Sequence, residues 1–148
     1  MKRTLLLLCL SFIRLLHAEY SWERSSAEPL VWEGVDALYN YDFDNAISLL
    51  DSAWDIDNSH PVIPFVLIAV KWLKVQTEEG YDASYNMINI EVGSTIPMYK
   101  QLIENNPDDS EMVLYLGSTY GIRARTAMAG KDWLDVLYFG YQGLKHIR

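Results

Sequence analysis

Apolar residues recur along this chain at helical spacing. Val31, Val35 and Leu38 stand at i, i+4 and i+7, on one face of a helix that begins near residue 30. The pattern stops at Asn40-Tyr41-Asp42, and a second stripe follows in Phe43, Ala46, Ile47, Leu50 and Trp54. Asp42 or Asp44 can cap this second helix, because a short side-chain acceptor satisfies backbone N–H groups left free at a helix start. The run Asp55-Ile56-Asp57-Asn58-Ser59-His60-Pro61 ends it with turn formers. Val62 to Val75 is strongly apolar, with Phe65, Ala69, Trp72 and Val75 sharing a face. At fourteen residues, with Lys71 and Lys74 inside, it is too short and too charged to cross a bilayer and reads as a core helix.

A fourth segment runs from Asp82 to about Asn105, with Ile88, Val92, Tyr99, Leu102 and Ile103 in helical register. Gly93 and Pro97 fall inside it, which predicts a kink or a break. Asn106-Pro107-Asp108-Asp109 is a firm stop. The fifth helix is expected over Ser110 to Ala129, capped by Ser110, with Asp108, Asp109 and Glu111 suiting the dipole at its start. The sixth is expected over Asp132 to Ile147, with Trp133, Val136, Leu137, Tyr141 and Leu144 as its stripe. No strand-like alternation bounded by turns appears. The predicted fold is all-α, six helices joined by short polar turns into three antiparallel hairpins.

The first eighteen residues follow a different rule. Lys2 and Arg3 precede an apolar run of twelve, Leu5 to Leu16, interrupted by Arg14, and Ala18 offers a small residue for cleavage. This is the layout of a secretory signal peptide, and the run is shorter than the roughly 20 residues of a membrane span. The expected organisation is a signal peptide over 1–18, a linker over 19–29 and a helical domain over 30–148, exported to the periplasm or cell envelope. Cleavage removes Lys2, Arg3 and Arg14 from 12 basic residues, leaving 9 against 20 acids, a net charge of −11. It also removes Cys9, the only cysteine, so no disulfide or thiolate chemistry is available to the mature domain.

Composition narrows the function classes. The whole chain carries a net charge of −8, which opposes nucleic acid and anionic lipid. Half of its residues are hydrophobic, enough to bury a core. Among five Trp and ten Tyr, most are expected to be core.

Two hairpins carry a motif. Gly34, then Tyr41-Asp42-Phe43-Asp44-Asn45-Ala46, then Leu50, Ala53 and Asp55-Ile56-Asp57-Asn58 resembles a tetratricopeptide repeat. Leu116-Gly117-Ser118-Thr119-Tyr120 and Gly130-Lys131-Asp132-Trp133-Leu134-Asp135-Val136 resemble a second copy. Aligning Phe43 on Trp133 and Ala46 on Val136 brings Leu50 onto Gly140 and Ala53 onto Gly143. The resemblance implies a short right-handed TPR-like solenoid in which small residues let paired helices approach closely. Gly34 and Gly117 would serve this, and Gly121, Gly140 and Gly143 would extend it. Two departures stand out. From Tyr120 to Trp133 is thirteen places, where a repeat of about 34 residues has about six. The hairpin over 62–105 matches the motif poorly.

Candidate chemistry is sparse. Asp55, Asp57, Asn58 and His60 are the densest polar cluster, but they lack the spaced oxygens and distal acid of a calcium loop and read as a repeat-ending turn. No Ser, His and Asp stand in a nucleophile arrangement. Arg123 and Arg125 are two places apart and point to different faces; one of them can hold a carboxylate or pair internally. The resemblance lines an inner groove with Val31, Val35, Leu38 and Tyr39 from the first hairpin and Leu114, Ser118, Gly121 and Ile122 from the third, with Arg123 beside them. Such a groove takes a peptide or partner helix. The expected function is therefore an exported, non-catalytic scaffold that binds another protein, without metal or cofactor. The alternative is a small exported helical enzyme or ligand-binding domain using surface acids and Arg123. The aromatic last helix is also expected to leave an apolar face open, through Trp133, Tyr138, Phe139 and Tyr141, for a partner, a second copy or the continuation of a longer repeat array of which this chain is a fragment.

Overall fold

The computed structural model of the chain describes residues 25–147. The expected signal peptide and most of the expected linker lie outside the described residues. Six α-helices follow one another: α1 Glu28–Tyr39, α2 Phe43–Ile56, α3 Val62–Glu78, α4 Tyr81–Asn105, α5 Ser110–Ala129 and α6 Trp133–Ile147. Among the described residues there is no strand. The all-α expectation holds, and so do the segment boundaries within a few residues. The first helix opens earlier than expected: Glu28 and Pro29 belong to α1 rather than to a linker, because proline is well placed in a first helical turn.

Each helix packs against the next, and α1 also touches α3, as α3 touches α5. Three apolar clusters form at these junctions. Ala27, Val31, Ala37, Ala46, Leu50, Ala53, Ile63 and Val70 join α1, α2 and α3. Ile68, Ile88 and Val92 join α3 and α4, with Ile122 of α5 against them. Tyr99, Leu116 and Tyr120 join α4 and α5, with Phe139 of α6 against them. Each fully buried Leu or Ile here contributes about 1.5–3 kcal/mol.

The anticipated face of α3 is not the buried one. Phe65, Ala69, Trp72 and Val75 are only half-buried, whereas Ile63, Ile68 and Val70 are enclosed. The reason is that α3 has four helical neighbours, α1, α2, α4 and α5, so no single stripe defines its inside.

The anticipated break in α4 is also absent, and the helix continues through Gly93 and Pro97. Proline removes one hydrogen bond to the carbonyl four residues earlier and crowds it. That residue is Gly93. Gly93 and Pro97 are both exposed, so water reaches the carbonyl left over. At the start of α5 the cap is Asp109 rather than Ser110: its Oδ1 accepts from the N–H groups of Glu111 at 3.0 Å and Met112 at 3.1 Å.

The turns α1–α2 and α5–α6 are built alike. Tyr41 and Lys131 both take left-handed backbone, with φ of 61° and 59°. The Asp42 N–H donates to the Ala37 carbonyl and the Tyr41 N–H to Leu38. In the same way Asp132 donates to Ala127 and Lys131 to Met128. This pair of bonds is the Schellman closure of a helix C-terminus.

Two of the expected glycine contacts are present. A Cβ on Gly34 would lie 2.8 Å from Leu50 Cγ, and one on Gly143 would lie 3.1 Å from the Gly117 carbonyl oxygen. Gly140 is a correction, since a Cβ there would meet nothing within 4 Å. A Cβ on Gly121 would also stand in open space, although the Gly121 backbone nitrogen lies 3.6 Å from the Cβ position of Gly143.

Candidate functional site

The residues expected to line one groove sit on α1 and α5. α1 and α5 do not touch, and α3 stands between them. Val31 is only 3% exposed and belongs to the first core cluster, so it offers nothing to a partner. Val35 and Leu38 are half-buried, and Tyr39 stands out in solvent. On α5, Ser118 is half-buried, Leu114 and Gly121 are exposed, and Ile122 packs into the second cluster.

Arg123 is engaged inside the molecule. Its guanidinium donates to Asn89 Oδ1 of α4 and to Thr126 Oγ1 at 3.4 Å. It pairs with Asp135 of α6 at 3.7 Å and lies 5.1 Å from the centre of the Phe139 ring. Thr126 Oγ1 donates to the same Asn89 oxygen at 2.9 Å. One arginine therefore clamps α4, α5 and α6, with its planar fork matched to several partners. Arg125 points elsewhere, over the Trp72 ring of α3 at 4.8 Å, as two-place spacing on a helix requires.

The polar turn after α2 is a structural corner. Asp57 accepts from Ser25 Oγ at 2.6 Å, and from the Ser59 N–H at 3.0 Å and Oγ at 2.7 Å. Burial opposes its charge, but these donors, with His60 nearby, outweigh burial and hold the carboxyl below its usual range. His60 is buried, 3.5 Å from Glu28. Among the described residues, no group of three or more His, Cys, Asp or Glu side chains converges as metal ligands do.

Among the described residues, two open surfaces stand out. The first is a cleft of about 540 Å³ along α1 and α2, lined by Trp32, Glu33, Asp36, Ala37, Asn40, Asp42, Asn45 and Leu49. Trp32 hydrogen-bonds Glu28 through its ring N–H, and Asn40 donates to the Asp36 carbonyl at 2.9 Å and carboxylate at 3.2 Å. Sequence reasoning missed this cleft, although its signal was present: Trp32, Glu33 and Asp36 place an aromatic ring among acids on the polar face of α1. The nearby Tyr39 and Tyr41 are 79% and 73% exposed. Such a surface binds cationic groups by charge and by cation–π contact.

The second surface is the outer side of α6. As expected, Trp133, Tyr138 and Tyr141 are bare, and Leu134, Leu137 and Leu144 are bare beside them. The side turned to α5 instead carries half-buried Val136, Phe139 and Gly140 and buried Gly143. Phe139, expected to be uncovered, packs against Tyr120. In the aligned positions of α2, Ile47 and Trp54 are partly buried in the cluster that α3 completes, while their counterparts Leu137 and Leu144 have no such cover among the described residues.

The chain matches no family model, and no curated protein or solved structure resembles it significantly. Among the described residues, no helix is long and apolar enough to cross a membrane.

Proposed function

We propose that this chain is an exported helical-repeat scaffold that acts by docking another protein and carries no catalytic function. The observation that carries this reading is the α1–α2 cleft, where Trp32 stands among Glu33, Asp36 and Asp42, with exposed Tyr39 and Tyr41 at the end of α1 and in the turn after it. Exposed Trp and Tyr are the residues that anchor protein interfaces, and the acids select a basic segment. A TPR-like solenoid fits the alternation in which α1, α3 and α5 touch in series while α2 touches neither α4 nor α6. The matching Schellman turns at Tyr41 and Lys131 support a repeat as well. Stacked hairpins of this kind present long binding surfaces. The reading built around Arg123 as a ligand-binding cation is weaker, because that cation is already held by Asn89, Thr126 and Asp135.

Export to the periplasm or cell envelope rests on the charge and hydropathy pattern of residues 1–18. The test uses the full chain, expressed in its own cells and crosslinked in place. A partner captured through a basic segment, lost with Trp32→Ala and Asp36→Lys, supports the reading. N-terminal sequencing of the recovered chain should begin at Glu19. Capture that ignores both substitutions, or substrate turnover by the purified chain, would overturn it.

A further inference from the structure

We propose that α6 pairs antiparallel with α6 of a second copy of this chain. This goes beyond the docking function, which rests on α1 and α2, and either can fail alone. Trp133, Leu134, Leu137, Tyr138, Tyr141 and Leu144 are each between 55% and 80% exposed, along one side of one helix. At roughly 150 Å² apiece they leave on the order of 900 Å² of large side chain bare. The largest apolar patch on an ordinary monomer is about 300–600 Å², whereas a stable dimer buries about 800 Å² per partner. The bare area therefore matches what one standard interface covers.

The order of residues points to a second copy as the occupant. A two-fold axis makes an interface self-complementary, so residue i meets residue j and j meets i. With that axis on the outer side of α6, level with residue 139, Leu134 meets Leu144 of the other copy and Leu137 meets Tyr141. At the ends Trp133 meets Lys145, a cation over an aromatic face, and Asp132 lies within one residue of the same lysine. Asp132 and Lys145 are both exposed. One set of substituents thus answers itself when reversed.

Net charge favours the same face. α1 carries Glu28, Glu33 and Asp36, and α2 carries Asp44, Asp51 and Asp55, with no Lys or Arg on either. Two copies meeting there would repel. α6 carries Asp135 and Lys145 with His146, so two of these helices approach without that penalty.

Sedimentation velocity of the full chain tests the proposal, with circular dichroism as the check on folding. The expected result is a dimer at micromolar concentration. Leu137→Arg should give a monomer of unchanged helicity, because Leu137 makes no core contact. Lys145→Asp should weaken the dimer roughly tenfold, since symmetry counts each end pair twice. Adding Asp132→Lys to it should restore the dimer, because the reversed charges meet again. Four outcomes would overturn the proposal: a monomeric wild type; an oligomer indifferent to Leu137→Arg, as association through the apolar leader would be; no rescue by the double exchange; or a different protein bound on α6 while the chain itself stays monomeric.

Discussion

Gly143 meets Gly117 backbone to backbone: a Cβ on Gly143 would stand 3.1 Å from the Gly117 carbonyl oxygen and 3.6 Å from the Gly121 nitrogen. A helix backbone cannot give way as a side-chain tip can. Gly143→Val should therefore push α5 and α6 apart and destabilise the fold by about 1–3 kcal/mol. Gly140→Ala, one turn away in open space, should stabilise it by about 0.5–1 kcal/mol through helix propensity alone. Urea unfolding of the two variants beside wild type checks the contrast. Equal effects of the same sign would show that the glycine contact does not set the spacing.

Tyr99 is wholly buried, and its hydroxyl donates to the Pro61 carbonyl at 2.6 Å, tying α4 to the start of α3. Burial, with Tyr115 nearby, pushes that hydroxyl well above its ordinary range, so it stays a neutral donor. Tyr99→Phe keeps the ring and strands the carbonyl. The expected loss is about 1–3 kcal/mol, read as a lower denaturation midpoint with unchanged helical signal.

Lys131 holds left-handed backbone at φ 59° in the α5–α6 turn. A side chain there strains against the following carbonyl, and glycine does not. Lys131→Gly should raise stability by about 0.5–1 kcal/mol. Tyr41→Gly in the equivalent turn should gain less, because Tyr41 also meets the Phe43 ring edge-on at 5.9 Å. Thermal unfolding of both variants reads the difference.

Asp57 gives the acid side of the stability profile. Its carboxyl is held below 3.8 in the folded chain, so the unfolded chain binds the proton more readily. Its contribution is complete above the ordinary carboxylate value and is lost as pH falls through the folded value. Ser25→Ala removes one donor. This variant should be less stable than wild type at neutral pH, and the gap should close as pH falls toward about 2. Urea midpoints across that range check it; a gap that stays constant would exclude the Ser25–Asp57 bond as its source.

Much of this architecture was legible because local signals agreed. The stripe of α2, the stop at Asn106-Pro107 and the length of α5 all follow from periodicity and turn chemistry. Where the reading failed, the cause lay in how the helices meet. In α6, Trp133, Tyr138 and Tyr141 are bare and Gly143 packs as expected, but Phe139 turns to Tyr120 rather than to solvent and Gly140 meets nothing. In α4, Gly93 and Pro97 signal a kink or a break, yet the helix is continuous because both lie on the wet side, where water can serve the carbonyl left over. The groove residues could not be tested by spacing alone, because whether Val31 is lined up with Ile122 depends on α3 lying between them.

The position of α3 also bears on how the molecule comes undone. Linear repeat arrays tend to peel from their ends, one unit at a time. Here the third helix leans on four of the other five, so stripping either terminal hairpin exposes it at once. The body formed by α1 to α5 should therefore melt in one concerted step, while α6, which leans on α5 alone, can come away first.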